Sequence, residues 1–363
     1  RMARHDKRFP RRPAKNSRLY FNPAHPILFV SNEPSRTWSE VILRTAGVGD
    51  PVTWTALPVE ASHRRFHRAR FHRAIPMEFA SVTSVILMTS PPALEQNSQF
   101  LRLAGVFRRA GLGVPAVLAV DEREGWFLLE DLGTRHFADL YGTGAEDAAL
   151  AAALESLLVL QRVSDPAIGR YTAERLGTEL GIFTEWFAGR GLGVTLPASV
   201  TDSVYPLLVE NALEQPQCCV HRDWHCRNLL YTDAHQVGIV DFQDALIGPA
   251  CYDLASLLHD CYHRFDQSTV ERWRTAWLVR SGFDLDPERV PRLVDLTAIQ
   301  RQLKAVGIFA RLQLRDGKTT HLRWIGTVLE ALIERSAHYP DLAPLHTELK
   351  RLAPLAAQRF AAV

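Results

Sequence analysis

The chain of 363 residues has a formal net charge of +2, and nearly half of its residues are apolar. This balance is typical of a globular protein and argues against a body built to bind nucleic acid. The length favours two domains or one two-lobed unit. The sequence has no run of about 20 apolar residues, so no membrane-spanning helix is predicted. The five cysteines lie in one segment and their number is odd, which argues against a framework of disulfide bonds. We therefore expect a reducing, cytoplasmic location.

The first 35 residues form a basic segment. Residues 1–18 hold eight Lys or Arg residues against the acid Asp6. The segment is punctuated by proline, has no apolar helical face and lacks the apolar core of a secretory signal. We interpret residues 1–35 as a disordered arm, and binding of nucleic acid or of a membrane surface stays open as the alternative.

Residues 36–132 predict a β-rich N-terminal lobe. Ser81–Met88 is the clearest β-branched run, and a helix with apolar residues at helical spacing is predicted between Pro92 and Gly111. The other predicted elements are a short helix at Thr37–Ala46 and strands at Val52–Leu57, Arg65–Phe71, Val117–Val120 and Trp126–Leu129. A small antiparallel sheet with one packed helix is expected.

Residues 133–363 predict a larger, helical C-terminal lobe. Two short strands, Leu229–Tyr231 and Val237–Phe242, interrupt the helices and are joined by a turn at Asp233–Gln236. The predicted helices are Ala145–Val163, Ile168–Arg190, Ser199–Leu213, Ala250–Tyr262, Ser268–Ser281, Pro287–Leu314, Thr319–Ser336 and Leu342–Leu352. The sequence therefore predicts an α+β fold of two lobes, with a cleft between them that suits a nucleotide.

One stretch in the second lobe combines the residues that phosphoryl transfer requires. It has His-Arg-Asp at residues 221–223, then Asn228, and finally Asp241 after the predicted hairpin. Pairing of the two short strands is expected to bring Asp241 beside Asn228. An Asp and an Asn at this spacing arise often by chance, and polar residues capping a hairpin are the alternative, but the complete pattern behind a β-rich lobe is specific.

The chemistry of these residues predicts their roles. Transfer of a phosphoryl group needs a carboxylate that faces the accepting hydroxyl, and it needs neutralisation of the phosphate oxygens. Asp223 is the candidate catalytic base. Mg²⁺ prefers hard oxygen ligands, so Asn228 and Asp241 are the candidate metal ligands.

At these residues the sequence resembles the aminoglycoside phosphotransferase and choline kinase group, over roughly residues 36–340. The resemblance implies a protein-kinase-like two-lobed fold that uses ATP and Mg²⁺, with Asp223 as base and with Asn228 and Asp241 as metal ligands. It implies that Glu130 and Leu132 contact adenine from the connector. The remaining implied roles are Ser62, Arg64 and Arg65 over the phosphates, from the stretch Glu60–Phe66, His221 as an anchor of the loop, and Asp253 as a support for its backbone.

Further details resemble the kinases that phosphorylate the anomeric C1 hydroxyl of N-acetylmuramate and N-acetylglucosamine in peptidoglycan recycling. The matching stretches are residues 61–66, 85–92, 127–133, 221–225, 241–245 and 248–249. The resemblance implies an amino sugar as acceptor and makes Trp224 a candidate sugar contact. An anomeric hydroxyl is more acidic than an ordinary alcohol, so a modest carboxylate base suffices.

Two departures from the kinase pattern keep alternatives open. The third strand ends Ile86-Leu87-Met88, where a phosphate-binding Lys is expected, and the loop over the phosphates has no glycine. Arg64 or Arg65 is the candidate replacement. The missing Lys favours a nucleotide-binding regulatory module, whereas the intact Asp223, Asn228 and Asp241 favour an enzyme.

A third reading is a phosphotransferase for an aminoglycoside or another alcohol. An aminoglycoside is a polycation and is expected to need an acidic site. The C-terminal helices are instead rich in arginine, at Arg289, Arg292, Arg301, Arg311, Arg315 and Arg323. This composition favours a neutral or anionic acceptor, such as a sugar that carries a lactyl carboxylate.

Overall fold

The computed structural model describes residues 34–58, 62–77, 80–166, 168–232 and 237–360, without the side chains of residues 73–77 and 80–82. Most of the predicted basic arm lies outside these residues. So do Glu60 and Ala61 of the predicted phosphate loop and the predicted turn at 233–236.

The N-terminal part is built around a five-stranded antiparallel sheet in the order β1-β2-β3-β5-β4. Its strands are β1 Thr53–Ala56, β2 Arg65–Met77, β3 Ala80–Thr89, β4 Val117–Asp121 and β5 Trp126–Glu130. The β-branched run of β3 takes the central position, where both faces are covered. The predicted small antiparallel sheet is confirmed.

Two helices cover the two faces of this sheet. On the outer face, Leu43 of α1 (Pro34–Thr45) forms an apolar cluster with Ala69 and Val85. On the inner face, α2 (Asn97–Arg109) contributes Phe100 and other residues to the main core, together with Ile86, Met88 and Phe127. Alternation along the strands decides which side chain reaches which face.

Helices make up most of the C-terminal part. They are α3 Glu146–Leu160, α4 Ala173–Ile182, α5 Tyr205–Glu214, α6 Tyr252–Leu258, α7 Gln267–Ser281, α8 Val290–Asp316, α9 Ile325–Ser336 and α10 Ala343–Arg359. Wide π-type turns at Phe183–Gly191 and Ser199–Val204 extend α4 and precede α5. Most predicted helices are confirmed within a few residues of their ends. Among the described residues, no helix is both long and apolar enough to cross a membrane.

Two small sheets frame the loop with the predicted catalytic residues. β6 (Gln217–Val220) pairs with β9 (Leu246–Pro249), and β7 (Leu229–Tyr231) pairs with β8 (Val237–Ile239). The loop at residues 221–228 therefore begins where β6 ends and finishes where β7 begins. The hairpin of β7 and β8 was predicted, whereas β9 was not, because its Gly and Pro are poor strand formers.

Candidate active site

His221 anchors the start of the loop from inside the core. Its Nδ1 accepts the backbone N–H of Asp223 at 3.3 Å, so Nε2 carries the proton and donates it to the Val240 carbonyl at 3.0 Å. Complete burial lowers the pKa of His221 to about 4, which keeps the ring neutral. The ring thereby ties the loop at residues 221–228 to the segment that ends in Asp241.

Asp253, in the first turn of α6, holds the backbone of the same loop. Its carboxylate oxygens accept the N–H of His221 at 2.5 Å and the N–H of Arg222 at 2.9 Å. The side chain is fully buried, and desolvation raises its pKa to about 7 although both N–H groups favour the ionised form. Asp253 thus contacts loop backbone, as the resemblance implied.

Arg222 adopts a conformation that is rare for a residue with a side chain, with φ at +79°. Its buried guanidinium forms an ion pair with Glu179 and lies 5.2 Å from the Tyr171 ring, and its carbonyl accepts from Arg301 at 3.2 Å. These contacts hold the strained backbone in place. The left-handed backbone at Arg222 turns the chain, so that the side chain of the next residue, Asp223, points out of the core and into the cleft.

Asp223 reaches the cleft with about 35% of its side chain exposed. Arg301 lies 3.8 Å from its Oδ1. Desolvation alone raises the pKa of Asp223, but the charges of Lys304, His225 and Arg301 outweigh it and hold the pKa well below its usual range. Asp223 is therefore a carboxylate near neutral pH, and two cations of α8 fix its charge state.

Asn228 and Asp241 lie at the same end of the β7–β8 hairpin. The Nδ2 of Asn228 donates to the Asp223 carbonyl at 3.0 Å, and its own carbonyl accepts the N–H of Val240 at 3.1 Å. The amide oxygen of Asn228 is therefore the atom left for a ligand. Asp241 has φ at +62°, and Gln243 donates to its Oδ1 at 2.7 Å. The structure thus brings together the three residues that the sequence predicted to meet.

The donor set fits magnesium. It offers one amide oxygen and one carboxylate, and Mg²⁺ completes its shell with water and phosphate oxygens rather than with a full protein cage. Among the described residues, no group of three or more His, Cys, Asp or Glu side chains is arranged to hold a metal. Desolvation and the nearby charge of Asp223 raise the pKa of Asp241. A cation between these carboxylates offsets that repulsion.

Arg64 is a buried cation in the N-terminal part of the site. The side chain is 4% exposed, its Nε lies 3.4 Å from Glu95 and 3.3 Å from the Ser90 hydroxyl, and its guanidinium faces the ring of Phe100. Its Nη2 is buried without a hydrogen-bond partner among the described residues. The charge of Arg64 partly opposes the rise in the pKa of Asp241, so it acts across the cleft. A buried donor without a partner indicates a place for an anion.

Glu95 holds the predicted phosphate loop together with Arg64. Its Oε1 accepts the Ser62 hydroxyl at 3.1 Å and the N–H of His63 at 3.0 Å, and the Ser62 hydroxyl accepts the N–H of Arg64 at 2.9 Å. One carboxylate therefore fixes both the turn at residues 62–64 and the cation. Glu95 could not be predicted from the sequence, because nothing local links it to a turn about 30 residues earlier.

The structure separates Arg64 from its neighbour Arg65. Arg65 is exposed and lies on the outer face of the sheet. This is the face of Ala69, which packs against α1, because side chains alternate between the two faces along β2. Arg64 and Phe66 point to the opposite, inner face. The two arginines that the sequence treated as equivalent therefore lie on different sides of the sheet.

Trp224 does not contact the cleft. The side chain is fully buried in the core beside the ring of His221, 5.6 Å away. Its prediction as a sugar contact was wrong, because the turn that exposes Asp223 sends the next side chain inward.

The connector after β5 is fixed by its acidic side chains. Asp131 accepts two bonds from Arg68, at 2.6 and 2.9 Å, and one from Ser84 at 2.6 Å. The carboxylate of Glu130 accepts from Arg108 at 3.1 Å and from the N–H of Ala116 at 3.0 Å. Both carboxylates thus bind protein partners. The connector groups that remain for hydrogen bonds to a nucleotide base are those of its backbone.

Leu132 lies where the connector passes the β7–β8 hairpin. A methyl group on Gly238 of β8 would sit 3.2 Å from the Leu132 side chain, so the two residues are in close contact. Leu132 therefore borders the cleft between the sheet and the hairpin.

The arginines of the C-terminal helices have different surroundings from those the sequence suggested. Three form surface ion pairs, Arg289 with Glu214, Arg292 with Asp341 and Arg315 with Asp316. Arg301 reaches the loop at residues 221–228. A second cation of α8, Lys304, and the carboxylate of Glu179 that pairs with Lys304 were not identified from the sequence. Buried charges on a helix have no signature that separates them from exposed ones.

The chain matches known proteins over most of its length. The family described as "Phosphotransferase enzyme family" matches residues 53–293. An N-acetylmuramate/N-acetylglucosamine kinase of Pseudomonas aeruginosa is 36% identical over 274 residues, which cover 72% of this chain and 80% of the relative. A protein of the same name from Neisseria meningitidis is 34% identical over 315 residues, 82% and 90% of the two chains.

The fold is also similar to solved structures of low sequence identity. The choline kinase LicA of Streptococcus pneumoniae aligns with a TM-score of 0.58 at 12% identity, over 84% of this chain and 100% of that one. At this identity the similarity supports the fold and nothing finer. The predicted protein-kinase-like arrangement of sheet and helices is confirmed.

Proposed function

Since this chain belongs to the phosphotransferase enzyme family, we propose that it is an ATP- and Mg²⁺-dependent kinase of N-acetylmuramate and N-acetylglucosamine, with the anomeric C1 hydroxyl as acceptor. The chain is a phosphotransferase with an alcohol group as acceptor. The identity of the sugar rests on the named relatives at 34–36% identity. A cytoplasmic role in the recycling of cell-wall sugars follows from the same proposal.

One observation carries the chemical part of the proposal. The carboxylate of Asp223, the amide of Asn228 and the carboxylate of Asp241 converge at one end of the β7–β8 hairpin, and two strained backbone positions, Arg222 and Asp241, flank them. Strain of this kind persists where the surrounding structure enforces it and often marks functional sites. A regulatory module without catalysis has no chemical need for all three groups.

Asp223 is the proposed catalytic base. Because the cations of α8 keep it ionised, it can accept the hydrogen bond and then the proton of the attacking hydroxyl. Its low pKa makes it a weak base, which matches an anomeric hydroxyl better than an ordinary alcohol. Arg301 also binds the carbonyl of Arg222, so one guanidinium orients both the loop and its carboxylate.

Asn228 and Asp241 are the proposed magnesium ligands. Magnesium at this position neutralises phosphate charge and aligns the phosphoryl group. Gln243 holds one oxygen of Asp241 and leaves the other for the metal. The hydrogen bond from Asn228 to the Asp223 carbonyl couples the metal ligand to the backbone of the base.

Arg64 is the proposed phosphate-binding cation in place of the missing strand lysine. Among the described residues its buried Nη2 has no hydrogen-bond partner, and the contacts of its Nε with Glu95 and Ser90 hold the side chain in place. A planar guanidinium can bind two phosphate oxygens at once. Ser62 belongs to the same turn, and Arg65 is left out of the proposed site. The backbone of Glu130 and Leu132 is the proposed contact for adenine.

The direct test is ATP consumption with Mg²⁺ and a panel of acceptors: N-acetylmuramate, N-acetylglucosamine, glucose and kanamycin. We expect turnover with the two N-acetyl sugars. Turnover with kanamycin alone would overturn the proposed acceptor and keep the chemistry. Binding of Mg·ATP without turnover on any acceptor would favour the regulatory module.

A further inference from the structure

A cavity of about 650 Å³ lies behind the catalytic loop and has no role in the site described above. It is lined by residues 258–267 and by residues of helices α7, α8 and α9. The enclosing segment also contacts the loop, because Asp260 accepts the N–H of Cys226 at 2.9 Å and the Tyr262 ring lies 5.2 Å from that of His225. The cavity therefore borders the segment that packs against the loop at residues 221–228, and its size suits a small molecule.

His259 presents an unsatisfied donor in this cavity. Its Nδ1 faces a guanidinium nitrogen of Arg335 at 2.7 Å and must accept, so Nε2 carries the proton. That Nε2 is buried and has no hydrogen-bond partner among the described residues. The nearest carboxylate oxygen, of Asp295, is 3.6 Å away, beyond hydrogen-bond distance. Burial and the charges of Arg335 and Arg274 lower the pKa of His259, so the ring is a neutral donor.

Arg274 of α7 is the second unsatisfied group. It lines the cavity and is half-buried, and within the described part of the chain its guanidinium has neither an ion pair nor a hydrogen bond. Arg335 is neutralised by Asp295 at 3.3 Å, and the other oxygen of Asp295 accepts from Tyr339 at 2.6 Å. Asp295 thus balances Arg335, and no carboxylate in the described part of the chain lies within ion-pair distance of Arg274.

In the described part of the chain, the other acids around the cavity form no ion pair with Arg274. They are committed elsewhere or exposed at the mouth: Asp260 and Asp266 accept backbone N–H groups, Glu334 pairs with Arg264, and Glu271 is exposed and accepts from Gln267. The Arg274 guanidinium is therefore the cation of this cavity that is available to an external anion.

We propose that this cavity binds a small anion, a carboxylate or a phosphate, through the Arg274 guanidinium and the Nε2–H of His259. Two sources supply such a group. One is the carboxylate of the acceptor N-acetylmuramate, and this version rests on the proposed function. The other is a separate small anion that acts on the catalytic loop through Asp260 and Tyr262.

The test compares the wild type with Arg274→Gln, which removes the charge, and Arg274→Lys, which keeps it. Arg272→Gln is the matched control, because Arg272 lies on the same helix in an exposed pair with Asp147. The first measurement is the Tm with inorganic phosphate or lactate, against sodium chloride at equal ionic strength. The second is KM for N-acetylmuramate and for N-acetylglucosamine.

If the sugar supplies the anion, Arg274→Gln raises KM for N-acetylmuramate about tenfold or more, the loss expected for one hydrogen bond to a charged group. KM for N-acetylglucosamine then changes less than about twofold, and Arg274→Lys recovers part of the loss. If a separate anion binds, phosphate or lactate raises the Tm of the wild type by a few degrees and the rise is lost in Arg274→Gln.

The proposal is overturned if Arg274→Gln leaves both the ratio of the two KM values and the response of Tm to anions as in the wild type. It is equally overturned if Arg272→Gln reproduces every effect. Should neither sugar be phosphorylated, the proposed function fails, and the Tm measurements still decide whether the cavity binds an anion.

Discussion

The carboxylate of Asp253 accepts the backbone N–H of Arg222 at 2.9 Å, from a residue 31 positions earlier in the chain. The same carboxylate accepts the N–H of His221. Both bonds are direct, and both fall on the residues that precede Asp223, the proposed catalytic base. The position of the proposed base therefore depends on a helix that does not itself reach the cleft.

Asp253→Asn is expected to lower kcat by about tenfold or more and to reduce the free energy of unfolding by roughly 1–3 kcal/mol. The amide replaces one acceptor oxygen with a donor, which then faces a backbone N–H. KM for ATP is expected to change little, because the nucleotide contacts lie elsewhere. Steady-state kinetics and urea unfolding measure both effects. Asp284→Asn, on an exposed loop, is the control, and equal kinetics in the two variants would show that the Asp253 contacts do not position the loop.

Arg64→Ala and Arg65→Ala are expected to differ although the residues are adjacent. Loss of the Arg64 guanidinium removes a charge-assisted contact to phosphate and leaves the partly buried Glu95 without its cation, so KM for ATP should rise about tenfold or more and kcat should fall. Arg65 lies on the outer face, and its variant should stay within about twofold of wild type. Initial rates at varied ATP distinguish them. Similar behaviour of both variants would contradict the assignment of Arg64.

The neutral His221 predicts a dependence of stability on pH. Its pKa in the folded protein is about 4, below the ordinary value of 6.5. Between these values the unfolded chain binds more protons than the native protein, so the stability contributed by the neutral ring is present above pH 6.5 and is lost as the pH falls. The difference in free energy of unfolding between wild type and His221→Gln should shrink by roughly 2 kcal/mol from about pH 7.5 to about pH 5. A difference that is constant over this range would show that His221 is not held neutral by burial.

The features that the sequence predicted are those with local signatures. The helical spacing of Phe100 and its neighbours and the β-branched run before Met88 placed α2 and β3, because periodicity reports which face is buried. Asp223, Asn228 and Asp241 were found together since the loop and hairpin that join them are short.

The features that the sequence did not predict depend on contacts between distant segments. Glu95 holds a turn more than 30 residues away, and Glu179 pairs with Arg222 across 43 positions. Arg64 and Arg65 were indistinguishable, because a shift of one residue in strand register exchanges the faces. Trp224 was misjudged for a related reason, since the left-handed backbone at Arg222 determines which neighbour turns inward.

The position of the transferred phosphate tests the central claim most directly. The wild type and Asp223→Asn are incubated with ATP, Mg²⁺ and N-acetylglucosamine, and the product is examined by ³¹P–¹H correlation NMR. We expect the phosphorus to couple to the anomeric proton, and we expect the variant to form product at least about 100-fold more slowly. Coupling to a different sugar proton, or undiminished product formation by Asp223→Asn, would contradict phosphorylation of the anomeric hydroxyl with Asp223 as the base.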